Sequence, residues 1–404
     1  MGFKIDGNAE KILYILNENG YEAYIVGGCV RDMILGRVPG DWDITTSAKP
    51  EETKKCFSHT YDTGIKHGTI TALMGKDSYE ITTYRIEGEY TDCRHPDEVV
   101  FTRDIHEDLL RRDFTMNAIA YHPKEGFIDP FGGVGDIEKK LIKGVGCPEE
   151  RFREDALRML RAVRFAAQLG FAVEDETWKA LKDNAHLITK ISAERIREEL
   201  QKLIMSDRPE KINFLAESGL TEHIYAPLAE ILKEKGSVTA EELSRAEKLP
   251  ALRWALFLKE LGAKEAESLM KKLKFDTKTM KAASAVIAEG KNGVKTDRYG
   301  IKKTAERLGD EIYVLFLKYS IAGGGADEGK AKEALKIYED IKRLDECINM
   351  KQLKINGSSL KEMGVKDGKL IGEILKAALD EAQKDNENNK KEVLEKFVRE
   401  RFLL

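Results

Sequence analysis

The sequence predicts an α/β N-terminal third followed by a long all-α remainder, and three observations carry that fold class. Runs of β-branched and aromatic residues, the signature of strands, are confined to the region before about residue 145. Beyond residue 150 nearly every segment has helical period and strand signals disappear. At 404 residues the chain exceeds the roughly 250–300 at which a single core stops growing, so several domains are expected. Breaks are expected near Gly144–Pro148, around Ser206–Pro209 and at Gly323–Gly325.

Composition bounds the function classes. With 42% hydrophobic and 34% charged residues the chain reads as globular, and no apolar run approaches membrane length, so no membrane partner is expected. Five cysteines (29, 56, 93, 147 and 347) fall at irregular spacings with no C-x-x-C pair. That pattern favours reduced thiols in the cytoplasm, without structural zinc. The net charge of −4 rules out a polycation as a whole, yet residues 250–320 hold 15 Lys and Arg against 9 Asp and Glu. Such a stretch fits a local contact with a polyanion, and a solvated helix surface accounts for it equally well.

Taken in order, "YIVGGCVRDMILGRVPGDWDITT" (24–46) carries the first chemistry. Tyr24, Ile25 and Val26 lead into Gly27 and Gly28, and an amphipathic stretch from Val30 to Leu35 follows, giving strand, tight turn and helix. A second strand is expected to carry Asp41 and Asp43, whose i, i+2 spacing puts both carboxylates on one side, about 6–7 Å apart at the backbone. Like charges that close repel unless a cation joins them. Carboxylate oxygens suit Mg²⁺, which binds through one or two carboxylates plus substrate phosphates. Two such ions about 3.5–4 Å apart can activate a hydroxyl and stabilise departing pyrophosphate. The glycine turn offers bare backbone N–H groups for phosphate, and Arg31 can reach the same place. The plain alternative is a turn kept for geometry beside surface aspartates. Next, GTITALM (68–74), a Gly75-Lys76-Asp77 turn and YEITTYR (79–85) predict a hairpin. Its Glu80 is a candidate third carboxylate or simply an edge residue.

Two later stretches are "LLRRDFTMNAIAY" (109–121) and "FREDALRMLRAVRFAAQLGF" (152–171). In the second, Phe152, Ala156, Leu160 and Val163 make one apolar helix face, beside a polar stripe of Asp155, Arg158, Arg161 and Arg164. Exposed ion pairs worth a few tenths of a kcal/mol explain such a stripe as readily as a binding site does.

Together GGCVRDMILG…DWDIT, RRDFTMNA, DPFGG (129–133), EDALRMLRAVRFA and ISAERIREEL (191–200) resemble, in order, the class II tRNA nucleotidyltransferases, or CCA-adding enzymes. These share a polymerase β-like head with bacterial poly(A) polymerases. The resemblance covers the first half of the chain, with only a general all-α likeness beyond. It implies an α/β N-terminal polymerase β-like nucleotidyltransferase head (1–145) followed by an all-α neck (146–206), body (207–322) and tail (323–404). The helical parts would grip the tRNA acceptor and T arms. Asp41 and Asp43 would be the metal-binding catalytic pair and Glu80 the third carboxylate. Gly28 and Arg31 would hold the triphosphate, Arg112 and Asp113 would contact phosphate and sugar, and Asp155 and Arg158 would read the base with Arg161 and Arg164 nearby.

Base chemistry makes that last role specific. Cytosine and adenine each present an amino donor beside a ring-nitrogen acceptor, whereas guanine and uracil present a carbonyl beside a ring N–H. An acceptor-only carboxylate next to a donor-only guanidinium therefore fits C and A and opposes G and U. One protein pair can select both bases of CCA without a nucleic-acid template.

Between the motifs, EGEYTDCRHPDEVVFTRDIHEDL (87–109) reads as a surface loop. In the family a loop here is linked to switching from C to A addition, and Asp92, Arg94 and Pro96 show it in full. No His-Asp pair of the metal phosphohydrolase type occurs. The expected activity is Mg²⁺-dependent addition of CCA to tRNA from CTP and ATP, with pyrophosphate released. A poly(A) polymerase or A-adding relative is the alternative enzyme, though the chain lacks a long Arg-rich end. A tRNA-binding protein without catalysis is the non-enzymatic alternative, which the intact DWD opposes. A homodimer is left open.

Overall fold

The computed structural model describes residues 5–88 and 99–403, and they fall into two compact units, 1–237 and 238–404. The first opens with α1 (Gly7–Glu18), β1 (Ala23–Val26), α2 (Gly28–Ile34), β2 (Ile44–Thr46), α3 (Pro50–Cys56), β3 (Thr60–Gly64), β4 (Thr69–Met74) and β5 (Asp77–Thr83). There follow β6 (Arg85–Glu87), β7 (Val99–Phe101), α4 (Ile105–Leu110), β8 (Ala120–His122), β9 (Gly126–Ile128), α5 (Gly133–Glu138) and β10 (Leu141–Ile142). A helical segment closes the unit with α6 (Pro148–Glu154), α7 (Leu157–Leu169), the short β11 (Ala172–Val173), α8 (Asp175–Asn184) and α9 (Ala193–Ile204).

Seven strands form one mixed sheet in the order β3-β4-β5-β2-β1-β8-β9. The central strand β1 is buried at all four positions, as its uninterrupted apolar run requires. The hairpin expected at 68–85 is present: β4 and β5 pair antiparallel with Met74 opposite Asp77 across a two-residue turn at Gly75 and Lys76. β2 lies parallel to β5 with Ile44 opposite Ile81, so the residue before β2 neighbours Glu80. Tyr24, Val26, Tyr84, Leu109, Ala118 and Ala120 fill one face of the sheet.

Three local expectations are corrected. The second strand begins at Ile44, so Asp41 and Asp43 sit just ahead of it, Asp41 in a bend. Pro39 and Gly40 keep the chain out of the ladder until the Val26 N–H donates to the Asp43 carbonyl at 3.0 Å. The helix read over 152–171 is two helices, interrupted at Asp155 with φ −136° and ψ 101°. There the Asp155 carboxylate accepts from the Leu157 N–H at 3.0 Å, turning a helical residue into a cap for α7. The apolar face survives the break, with Phe152, Ala156, Leu160 and Val163 all buried. A strand also occurs after residue 150, because β11 pairs with β10 in parallel. The loop residues Asp92, Arg94 and Pro96 lie outside the described residues.

The second unit holds helices and no strand among its described residues. Trp254 is fully buried there, edge-on to Phe257 and Phe275 at 5.6 and 4.7 Å between ring centroids. A smaller cluster around Ile355, Leu360, Ile374, Leu379 and Leu394 forms its C-terminal core. The expected breaks at 206–209 and 323–325 are both places where helices end; Gly324 and Gly325 take φ of +71° and +70° between two helices.

Candidate active site

The site is built on the turn that leaves β1. Gly27 has φ +83°, and a Cβ there would lie 2.9 Å from Arg112 Nη1 and 3.9 Å from Asp43 Oδ2. A larger residue would have to push the guanidinium aside, so glycine is required at 27, whereas at Gly28 a Cβ would meet only Arg31 at an ordinary 3.7 Å. The sequence pattern points to Gly28; the close approach belongs to its neighbour.

Asp43 is the electrostatic centre. Burial pushes its carboxyl up, the Asp41 and Glu80 charges push the same way, and only Arg112 opposes them. Asp41 and Glu80 are exposed. Arg112 leans on the fully buried Asp108 at 3.6 Å, and its Nε is buried without a hydrogen-bond partner among the described residues. A carboxylate that burial and two neighbouring carboxylates push up forms a place where a divalent cation lowers the free energy. Among the described residues no three His, Cys, Asp or Glu converge as a closed cage. An ion placed at these carboxylates would need further oxygen ligands.

The RRDFTMNA block forms the next layer. Asp113, 8% exposed, accepts from the Phe114 N–H at 2.8 Å, from Asn117 at 3.0 Å and from Arg161 Nε at 2.8 Å and Nη2 at 2.7 Å. Burial alone would raise this carboxyl; the Arg161 charge, the Asn117 amide and the Arg158 charge more than reverse that, to about 2. Asn117 also accepts from Arg31 Nη1 at 2.7 Å, and Arg31 grips Asp32 at 2.9 Å. Arg31, Arg161 and Arg164 all pack on the Phe165 ring, at 5.1, 5.3 and 3.7 Å from its centroid. Three cations are gathered around one ring, and their charges are met by Asp32, Asp113 and Glu199.

Asp155 and Arg158 flank the kink, and they are not paired with each other. Asp155 receives Arg195 through Nη2 at 2.8 Å and Nη1 at 3.3 Å. Arg158 is buried and donates to Glu154 at 2.6 Å, to the Arg151 carbonyl at 3.2 Å and to the Arg111 carbonyl at 2.7 Å. That last bond ties Arg158 to the residue next to Arg112, so the kink and the carboxylates share one frame. Arg161 and Arg164 face inward, to Asp113 and to Glu199, rather than forming an exposed stripe.

The structure thus groups Asp41, Asp43, Glu80 and Arg112 electrostatically, and links Arg31, Asp113, Arg161 and Arg164 through Asn117, Phe165 and Glu199, while Arg158 acts on Asp113 through its charge. Sequence reasoning missed Asp108, Asn117, Phe165, Arg195 and Glu199 as parts of the site, and it marked the Gly27-Gly28 turn without the close approach at Gly27. Asn117 and Arg195 stand inside quoted motifs, but nothing in one sequence pairs residues 86 and 40 positions apart.

Known proteins resemble this chain along most of its length. The family model described as the poly A polymerase head domain matches residues 23–143, that for the "Probable RNA and SrmB- binding site of polymerase A" matches 170–232, and tRNA nucleotidyltransferase domain 2 matches 250–398. The CCA-adding enzyme of Ligilactobacillus salivarius is 40% identical over 398 residues, covering 95% of this chain and 93% of its own. That of Geobacillus thermodenitrificans is 46% identical over 280 residues, 69% of this chain and 68% of its own. The crystal structure of the Bacillus stearothermophilus CCA-adding enzyme in complex with CTP superposes with a TM-score of 0.83 at 34% identity, covering 97% of this chain and 96% of that one. Matched over 95% of its length at 40% identity by the Ligilactobacillus salivarius enzyme, the chain, with its mixed-sheet head and helical remainder, belongs to the CCA-adding tRNA nucleotidyltransferases.

Proposed function

We propose that Asp41, Asp43 and Glu80 form the catalytic centre at which this chain joins CTP and ATP to the 3′ end of tRNA, releasing pyrophosphate, and that Asp155 and Arg158 choose the base. CCA addition without a nucleic-acid template is the activity of the family. Its nucleotidyltransferases depend on divalent metal, and the ion proposed here is Mg²⁺, held by Asp41 and Asp43. When bound, it polarises the α-phosphate and offsets the charge that develops on the attacking and leaving oxygens.

The chain's own residues supply the rest. Arg112, braced by Asp108 beside Gly27, meets triphosphate oxygens next to the carboxylates. Gly28 and Arg31 border the same space. Asp113 holds Arg161 and Asn117, which fixes Arg31; a sugar contact by Asp113 would exchange one of its four present bonds. Arg161 and Arg164 flank the nucleotide as a cationic wall over Phe165.

The observation that carries base choice is that Asp155 and Arg158 are held by separate partners. A carboxylate offers about four acceptor positions and a guanidinium five N–H donors. Three of the former are taken at Asp155 and three of the latter at Arg158. One acceptor position at Asp155 and two donor positions at Arg158 are left, the kinds of group that suit the amino group and ring nitrogen of C and A.

The head (1–145), neck (146–206), body (207–322) and tail (323–404) follow the same reading, with tRNA acceptor and T arms as partner of the helical parts. The proposed location is the cytoplasm; among the described residues no helix is long and apolar enough to cross a membrane. Sedimentation separates monomer from homodimer.

The test incubates the protein with tRNAs ending before CCA, before CA and before A, offers each nucleotide alone, and sequences the 3′ ends. CCA addition requires two C and then one A, whereas a poly(A) polymerase extends every end with A and an A-adding relative extends only the last. For base choice, Asp155→Ala should lower kcat/KM for CTP and ATP roughly ten- to hundred-fold, the worth of a bidentate contact, and lower it much less for UTP and GTP. Equal losses for all four nucleotides would end the reading of the kink as a protein template.

A further inference from the structure

The segment ISAERIREEL has a place in the fold, yet the reaction above gives it no role. It forms α9, and two of its residues one turn apart, Arg195 and Glu199, face the reading helix. Glu199 is 4% exposed and meets Arg164, while Arg195 spans to Asp155. We infer that Arg195 is a specificity-determining positioning residue: its guanidinium fixes the plane of the Asp155 carboxylate and so decides which acceptor position is presented to the incoming base. This inference rests on the reading of Asp155 as a base reader.

The geometry leaves Asp155 little other support. Its backbone is extended at the junction between α6 and α7, outside either helix, so helical hydrogen bonds do not fix its side chain. One oxygen takes the Leu157 N–H at 3.0 Å, which alone permits rotation about that contact. The two Arg195 bonds, at 2.8 and 3.3 Å to different oxygens, remove the rotation. Side-chain exposures of 17% for Asp155 and 25% for Arg195 leave the pair partly open to solvent, so that a nucleotide can reach the remaining position. A freely rotating carboxylate would still accept from an amino group, but it could also turn away from the carbonyl of U or G. Fixing the plane therefore works chiefly by keeping wrong bases opposed. A lysine would preserve the charge without the fork that grips two oxygens at once.

The experiment is a double-mutant cycle on the full-length protein, using Arg195→Ala, Asp155→Ala and the two combined, with Arg195→Lys as the conservative variant. For each, kcat and KM are measured with CTP, ATP, UTP and GTP on tRNAs ending before C and before A. The expected result is that Arg195→Ala narrows CTP-over-UTP and ATP-over-GTP discrimination about ten-fold, with Arg195→Lys in between. The double variant should discriminate no worse than Asp155→Ala alone, since Arg195 acts only through that carboxylate. Wild-type discrimination in both Arg195 variants would overturn the inference while leaving the role of Asp155 intact. Losses that multiply in the double variant would overturn it too, assigning Arg195 a separate contact. If Asp155→Ala itself leaves all four ratios unchanged, the base-reading assignment falls first and this inference with it. A fall in melting temperature with unchanged ratios marks the pair as purely structural and counts against the proposal.

Discussion

Replacing Asp113 with Asn removes one charge and almost no volume, and the structure gives the size of the effect. The carboxyl sits at about 2 in the folded protein against an ordinary 3.8. At about 1.4 kcal/mol for each tenfold change in proton affinity, the charged form contributes about 2 kcal/mol of stability at neutral pH. A depressed folded value means this contribution is complete above about pH 4 and is lost as pH falls toward 2. Asp113→Asn should therefore be about 2 kcal/mol less stable than the parent at pH 7, with the difference shrinking to roughly half by pH 3. The loss stays this modest because Arg161 keeps Glu199 at 4.0 Å and is itself one-third exposed. Urea unfolding of both proteins between pH 7 and pH 3, followed by far-ultraviolet circular dichroism, measures the gap, and carboxylates common to the two proteins cancel in it. A gap that holds constant down to pH 3 would refute the electrostatic argument. A gap under about 0.5 kcal/mol at pH 7 would mean that Arg161 finds an equal partner elsewhere.

Asp41→Asn and Asp43→Asn should each abolish C and A addition alike, as chelation of divalent ions should, while leaving tRNA binding near normal; substantial incorporation of either nucleotide would sink the shared centre. In the metal-free protein Asp43→Asn should melt no lower than the parent, since burial and its neighbours already hold that carboxyl above its ordinary value. Gly27→Ala should cost about 1–3 kcal/mol for a backbone at φ +83° and ψ −131° that side chains rarely adopt. By displacing Arg112 it should also lower kcat/KM for CTP and ATP together, and a selective loss of one nucleotide would contradict that route. Neutralising Lys271, Lys272 and Lys274, exposed at the end of the helix Ala263–Lys272 and just beyond it, should weaken tRNA binding and flatten its salt dependence by about 0.7–0.9 in slope for each phosphate no longer neutralised. An unchanged slope returns that stretch to a solvated surface.

What was legible in the sequence was local. The run Tyr24–Val26, the glycine turn and the hairpin at 68–85 each depend on neighbours a few residues away, so period and turn chemistry suffice. The kink at Asp155 was hidden by the same logic. Phe152, Ala156, Leu160 and Val163 keep a helical spacing across it because two helices bury one continuous face. Nothing in that spacing announces that an aspartate has left the helix to cap the next one. The partners that give the site its geometry lie still further out of reach. Arg31 meets Asn117, Arg161 meets Asp113 and Arg195 meets Asp155, pairs brought together only by the sheet and by the packing of α7 on α9. A stripe of charge on a helix says that polar partners exist, not which side of the helix they occupy.

Asp43 and Asp113 make the physical distinction behind this. Both are aspartates shielded from solvent within one frame, yet their surroundings push them in opposite directions. Asp113 accepts four hydrogen bonds, two of them from the Arg161 guanidinium, and it strengthens the fold. Asp43 has two carboxylates and a single opposing arginine, and its ionisation weakens the fold. An arrangement that costs stability persists where something outside the chain relieves it, and the divalent ion proposed above would relieve this one. The expected stability changes of Asp113→Asn and Asp43→Asn, one down and one level or up, therefore separate the scaffold from the reacting centre without any measurement of activity.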